Sequence, residues 1–346
     1  MFVNPRFAVI GKEKRKREVI VIGTILLGCG SFVPERRLTN EMLTQMVDTS
    51  DEWIVQRTGI RERRIAENTT TAELALPAAQ RALEDAGISA GDLDLIIACT
   101  ATPDSYTPSL SCRVQAALGA QRAFAFDLTA ACSGFVYATD VADSYLRTGK
   151  AQRVLVVCAE NLSRIVDYTD RSVCCIFGDG AGAAVFGYSD SEDGILQTVM
   201  GADGARGDAL LAKALPVEDP LDGSREFSSG DRFLRMNGKE VFRFTAQAVP
   251  AAIDGVLKKA GMAAEDIDWI VPHQANLRII DMVCRRYGLN RDRVYVNLPL
   301  YGNTSSASIP ICLDEMRQKG ILKKGQLIIC VGFGGGLTYG AVLLRV

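Results

Sequence analysis

The sequence predicts a layered α/β protein built from two similar halves, on two observations. Short apolar, β-branched runs alternate with longer amphipathic ones, the pattern of strands covered by helices. Both halves also close on the same kind of segment. Phe177-Gly-Asp-Gly-Ala-Gly-Ala-Ala-Val-Phe186 and Val331-Gly-Phe-Gly-Gly-Gly-Leu-Thr-Tyr-Gly-Ala-Val-Leu343 each run from glycines into an apolar strand. That repeat sets a boundary near residue 190, between a half of 19–190 and a half of 191–346, with 1–18 as an extension ahead of them.

Taken in order, Val19-Ile-Val-Ile22, 95–97, 123–126 and 154–157 read as buried strands of the first half. A helix is expected over 71–86, where Thr70 or Thr71 offers an N-cap, alanine and leucine recur at helical spacing, and Gly87 is the stop. Further helices are expected over 108–118 and 132–148. The second half repeats the alternation: helix 238–260, strand 269–271, helix 275–287, strand 293–297, helix 309–319 and strand 326–331. Residues 204–235 are polar and broken by Gly204, Gly207, Pro216, Pro220, Gly223 and Gly230. They read as a long surface excursion, with the active site as what it would cover.

Composition narrows the classes of function. Hydrophobic residues make up 48% and charged residues 23%, as in an ordinary globular enzyme. A formal net charge of −2 gives no general attraction for nucleic acid, and no apolar run reaches the ~20 residues of a membrane span. The basic run of 11–18 reads as a solvated extension. Ten cysteines contain no C-x-x-C pair, and the single histidine cannot complete a cysteine–histidine zinc site, so no metal centre is expected. Most cysteines lie in apolar runs as small hydrophobes, which suits a reducing cytosol. The glycine clusters lack the G-x-G-x-x-G spacing and lead into strands where a helix should begin, which excludes a dinucleotide-binding fingerprint.

Three residues stand out chemically. Cys132, in Ala123-Phe-Ala-Phe-Asp-Leu-Thr-Ala-Ala-Cys-Ser-Gly-Phe135, falls where a strand ends and an apolar helix starts. The positive end of that helix favours a thiolate, and the unpaired N–H of Cys132 is free to bind an oxyanion. His273, the only histidine, follows the strand in Trp269-Ile-Val-Pro-His-Gln-Ala-Asn276, a loop position where α/β enzymes place catalytic groups. Asn303 lies among small hydroxyl residues in Leu300-Tyr-Gly-Asn-Thr-Ser-Ser-Ala-Ser308. A cysteine, a histidine and an asparagine at element ends also suit a thioester hydrolase or cysteine peptidase.

In the order in which they occur, Asp48-Thr-Ser-Asp-Glu-Trp-Ile-Val-Gln-Arg-Thr-Gly-Ile-Arg-Glu-Arg63, the Cys132 segment, Phe177-Gly-Asp-Gly-Ala-Gly-Ala-Ala, Pro272-His-Gln-Ala-Asn-Leu-Arg-Ile-Ile280, Gly302-Asn-Thr-Ser305 and Gly332-Phe-Gly-Gly-Gly336 resemble the β-ketoacyl-acyl-carrier-protein synthase III family. The likeness runs from about residue 19 to the C-terminus. The departures are the N-terminal extension and extra length around 208–230. The resemblance implies a thiolase-like fold of duplicated α/β halves in five layers, in a cytoplasmic homodimer. It implies that Cys132 takes an acyl group from acyl-CoA and that malonyl-acyl-carrier protein then decarboxylates and attacks the thioester. His273 and Asn303 would hold the enolate, and the N–H groups of Cys132 and Gly335 the oxyanion, with no metal or redox cofactor.

Trp53, Arg57 and Arg171 match positions that hold CoA, while Gln274, Arg278, Arg285 and Arg286 would meet the acidic carrier protein. Arg278 and Arg285 share one helix face, opposite Ile279, Ile280 and Val283. Thr107 matches a position lining the acyl pocket across the dimer, where short-chain members resemble one another in carrying phenylalanine. A smaller threonine implies a primer longer or more branched than acetyl. One histidine excludes the related elongating enzymes, which use two. The nearest rival is a condensing enzyme of the same type in secondary metabolism.

Overall fold

Residues 23–189, 193–214 and 233–346 are described by a computed structural model of the chain. The predicted strand 19–22, the basic run and the middle of the polar excursion lie outside the described residues; the first described strand is Gly23–Phe32. Among the described residues, five strands form one sheet in the order Gly23–Phe32, Gly180–Ser189, Arg153–Glu160, Leu95–Cys99, Phe124–Leu128. Four form a second sheet in the corresponding order, Gly194–Ala202, Thr338–Arg345, Leu327–Gly334, Trp269–Pro272.

Five layers result. Helices Gly134–Arg147 and Ser308–Gln318 lie between the sheets, and their Phe135, Val136, Ile309 and Cys312 share one core with Val156, Cys330 and Val342. Thr71–Ala86 and Leu110–Leu118 cover the outer face of the first sheet; Gly238–Ala260 and Leu277–Tyr287 cover that of the second. The local signals act as expected at Thr71–Ala86. Thr70 and Glu73 form a reciprocal capping box, and Gly87 ends the helix at φ +66°. This helix sits almost against the first strand, where a Cβ on Gly30 would stand 2.3 Å from the Ala82 nitrogen.

One element differs from expectation. Residues 293–297 alternate as a strand should, yet they make a single bridge, Val294 to Ile270. A 3-10 turn at Arg291–Arg293 precedes it and a short helix, Leu298–Tyr301, follows. The Asn297 and Leu298 N–H groups donate to the Gln274 side-chain oxygen instead of to a neighbouring strand. A side chain has taken the place of the ladder, so the fifth strand of the second sheet does not form.

Candidate active site

The strand Phe124–Leu128 delivers the chain to a 3-10 turn, Ala131–Ser133, that opens directly into the helix Gly134–Arg147. Ala131 is held at φ +44°, a left-handed conformation costing about 1–2 kcal/mol, and Cys132 directly after it lines a cavity. The strand Leu327–Gly334 of the other half passes alongside. Only glycine fits at 334, where a Cβ would lie 2.9 Å from the Cys132 sulfur. Just beyond it, the Gly335 backbone N–H reaches the thiol.

His273 follows Trp269–Pro272, its own N–H bonded to the Val331 carbonyl at 2.8 Å. Its ring packs edge-on against Phe333, centroids 5.1 Å apart. Asn303 is 5% exposed, and its side-chain oxygen accepts from the Ser305 N–H at 2.8 Å. That bond orients the amide, leaving its NH₂ group to donate toward the cavity. Cys132, His273 and Asn303 thus converge on one cavity of about 120 Å³, with Phe177, Phe242 and Phe333 in its walls.

Burial sets the resting charges. Desolvation pushes the Cys132 thiol up to about 11, although the Ser305 hydroxyl and the N–H groups of Gly335 and Cys132 favour thiolate; buried Glu160 adds to the upward push. The expectation of a resting thiolate is therefore corrected: in the closed site, removal from water outweighs the helix terminus. Desolvation also drives His273 down to about 3, opposed only by the Ser305 backbone, so its imidazole is neutral. Alkylation of Cys132 in the free enzyme, followed by peptide mass, is expected to climb with pH with no plateau below about pH 10. A plateau near pH 8 would mean that the helix terminus dominates.

Outside this cavity lies a cleft of about 1260 Å³, and the two share Ile176, Met236, Gly238, Phe242 and Asn276 as lining. The helix Asp51–Thr58 presents Trp53 to the cleft, with the Arg57 guanidinium 4.6 Å and the Arg171 guanidinium 5.2 Å from its ring centroid. Residues 57 and 171 are far apart in sequence, yet both bring a guanidinium to one indole. Sequence reasoning missed Lys239, Phe242 and Arg243, which line the same cleft from the start of Gly238–Ala260. Their helical spacing signals one shared face without saying what that face meets.

The remaining residues divide. Arg278 and Arg285 are exposed on Leu277–Tyr287 while Ile279, Ile280 and Val283 are buried, as the periodicity requires. Arg278 also lines the cleft and donates to the Gln56 carbonyl. Arg286 is exposed but held by Asp254 at 2.8 Å. Gln274 is corrected: it is fully buried, and its amide is spent on Pro272, Tyr295, Asn297 and Leu298, so it presents nothing to a docking protein. Thr107 is exposed and does not reach the Cys132 cavity of its own chain.

Comparison with known proteins agrees with this geometry. Residues 126–204 match the family described as 3-oxoacyl-[acyl-carrier-protein (ACP)] synthase III, and 257–346 match its C-terminal family. The chain is 47% identical over 320 residues to beta-ketoacyl-[acyl-carrier-protein] synthase III of Clostridium acetobutylicum, covering 92% of this chain and 98% of that one. The enzyme of the same description from Caldanaerobacter subterraneus is 48% identical, covering 92% and 97%. The crystal structure of 3-oxoacyl-[acyl-carrier-protein] synthase III from Aquifex aeolicus superposes with a TM-score of 0.87 at 46% identity, covering 94% of this chain and all of that one. The priming β-ketosynthase of the R1128 polyketide pathway superposes equally well, at 40% identity, covering 94% and 96%. With its duplicated thiolase-like halves and a shared cavity for Cys132, His273 and Asn303, the chain belongs to the β-ketoacyl-acyl-carrier-protein synthase III family of condensing acyltransferases.

Proposed function

We propose that this enzyme condenses an acyl-CoA primer with malonyl-acyl-carrier protein, releasing carbon dioxide and CoA and starting fatty-acid synthesis. The observation that carries the reading is the abutment of the Cys132–His273–Asn303 cavity on the cleft of Trp53, Arg57 and Arg171. In that cleft the indole offers a stacking face for adenine and the guanidiniums meet phosphate. The Cys132 sulfur attacks the thioester carbonyl, the oxyanion rests on the N–H groups of Cys132 and Gly335, and CoA leaves as its thiol carrying the cysteine proton.

Malonyl-carrier protein then enters. When carbon dioxide departs, the bonding pair moves onto the thioester oxygen, where neutral His273 and the Asn303 amide both donate. The enolate carbon attacks the acyl group on Cys132, and the cysteine thiolate leaves. No electrons are transferred to or from an outside acceptor at any step, so we propose that the two thioesters suffice, without metal or redox cofactor. A hydrolase would need His273 as the base, and an imidazole held near 3 is a poor one. The decisive experiment incubates the protein with acyl-CoA, reads the mass of Cys132, then adds malonyl-carrier protein and reads the product. Acylation without a β-ketoacyl product would overturn the reading.

Arg278 and Arg285 form the basic face we assign to the carrier protein; among the described residues Arg285 has no ion-pair partner. Charge reversal at Arg285 is expected to raise the apparent KM for malonyl-carrier protein several-fold, most at low salt, while acylation from acyl-CoA is spared. An unchanged KM would remove this face from the interface.

A homodimer is supported by the edge strand Phe124–Leu128, which among the described residues pairs on one side only and carries Phe124 at 45% exposure. Its Asp127 caps the helix after the Thr107 loop and so ties that loop to the edge, which supports a Thr107 contributed to the partner's pocket across such a dimer. We expect primers longer or more branched than acetyl, each buried methylene contributing ~0.8 kcal/mol. Thr107→Phe should shift Cys132 acylation toward acetyl-CoA across a series from acetyl to dodecanoyl; an unchanged preference would sink the idea. The same series tests a second reading, a priming role in polyketide synthesis, favoured by the likeness to the R1128 enzyme. All ten cysteines are free thiols, which supports a place in the reducing cytoplasm.

A further inference from the structure

The proposed decarboxylation requires a proton on the imidazole nitrogen that faces the thioester. His273 Nδ1 lies 2.7 Å from the Ser308 hydroxyl, at the first residue of the helix Ser308–Gln318. Both residues are buried, at 1% and 2% exposure. A hydroxyl has one proton to donate and two lone pairs, whereas neutral imidazole has one donor and one acceptor nitrogen. The hydrogen bond can run either way, and the two directions impose opposite tautomers.

The neighbours choose between them. The Gln274 backbone N–H approaches the same hydroxyl oxygen at 3.4 Å, and an N–H only donates, so it occupies one lone pair. If Nδ1–H donated as well, both lone pairs would be filled and the hydroxyl proton would have no acceptor among the described residues. If the hydroxyl donates to Nδ1, every polar atom of the cluster is satisfied. The Ser305 carbonyl also faces the ring, but it already receives the Ser308 backbone N–H and does not require a proton on Nδ1. We infer that Ser308 is a positioning residue: its hydroxyl donates to Nδ1 and fixes His273 in the Nε2–H tautomer, the form that donates to the enolate oxygen. The inference rests on His273 being that donor.

His273 is the only histidine, so enzyme carrying isotope-labelled histidine gives one imidazole, whose two nitrogens report directly which is protonated. Wild type and Ser308→Thr are expected to show a protonated Nε2 and an unprotonated Nδ1. Ser308→Ala is expected to populate the Nδ1–H form and to decarboxylate malonyl-carrier protein about tenfold more slowly, the weight of one net hydrogen bond, with the loss confined to that step. A wild-type spectrum with the proton on Nδ1 would overturn the inference. So would a Ser308→Ala enzyme whose spectrum or decarboxylation rate matches wild type. Should Ser308→Ala not fold, the wild-type and Ser308→Thr spectra still decide. The spectrum needs no turnover, so a protein inert toward malonyl thioesters would defeat the proposed function without touching the tautomer assignment.

Discussion

Replacing Cys132 by serine is expected to abolish acyl-enzyme formation. A serine hydroxyl ionises far less readily than a thiol, and the only imidazole in the cavity, held near 3, cannot take its proton. The measurement is intact mass after incubation with acyl-CoA. Wild type should gain one acyl group, mapped to Cys132 by peptide mass, and Cys132→Ser none. Acylation retained at another cysteine would overturn the assignment; the exposed Cys112 is the first place to look. A serine enzyme acylated at the wild-type rate would mean that a strong base has been overlooked.

His273→Ala and Asn303→Ala should divide the reaction in the opposite sense. Each removes one of the proposed donors to the enolate oxygen, so malonyl decarboxylation should fall by ~10²-fold or more while Cys132 still takes up its acyl group. Decarboxylation is read as carbon dioxide release from malonyl-carrier protein, and acylation by mass. His273, neutral throughout, should impose no inflection on decarboxylation between about pH 5 and 9. Equal losses in both half-reactions would make His273 a general base and revive the hydrolase reading.

Much of the fold was legible because local chemistry and tertiary need agree. Thr71–Ala86 carries its cap, its apolar spacing and its stop within the sequence, and it forms as those signals dictate. The strand expected at 293–297 fails because alternation in Val294-Tyr-Val296 describes a side-chain pattern, whereas a strand also needs a backbone neighbour. Here the Gln274 amide took that neighbour's place, a long-range fact with no local sign. The same amide explains why a polar residue next to His273 reads as surface and is not. At the site, Cys132, His273 and Asn303 could each be named from element ends. Their ionisation could not, because burial is a property of the whole molecule. Ser308 gave no signal, being one of three serines within four positions.

The glycine at 334 has a consequence for how the enzyme fails. It belongs to the second half, and it lets that half's strand lie flush against a nucleophile supplied by the first. On the proposed roles, neither half alone holds a partial catalyst: one has a sulfur with nothing to drive malonyl decarboxylation, the other has donors with nothing to attack. Catalysis therefore gauges how closely two docked bodies meet. A displacement of about 1 Å at such a joint can cost ~10²-fold in rate, so warming or mild denaturant should silence turnover while both sheets remain intact.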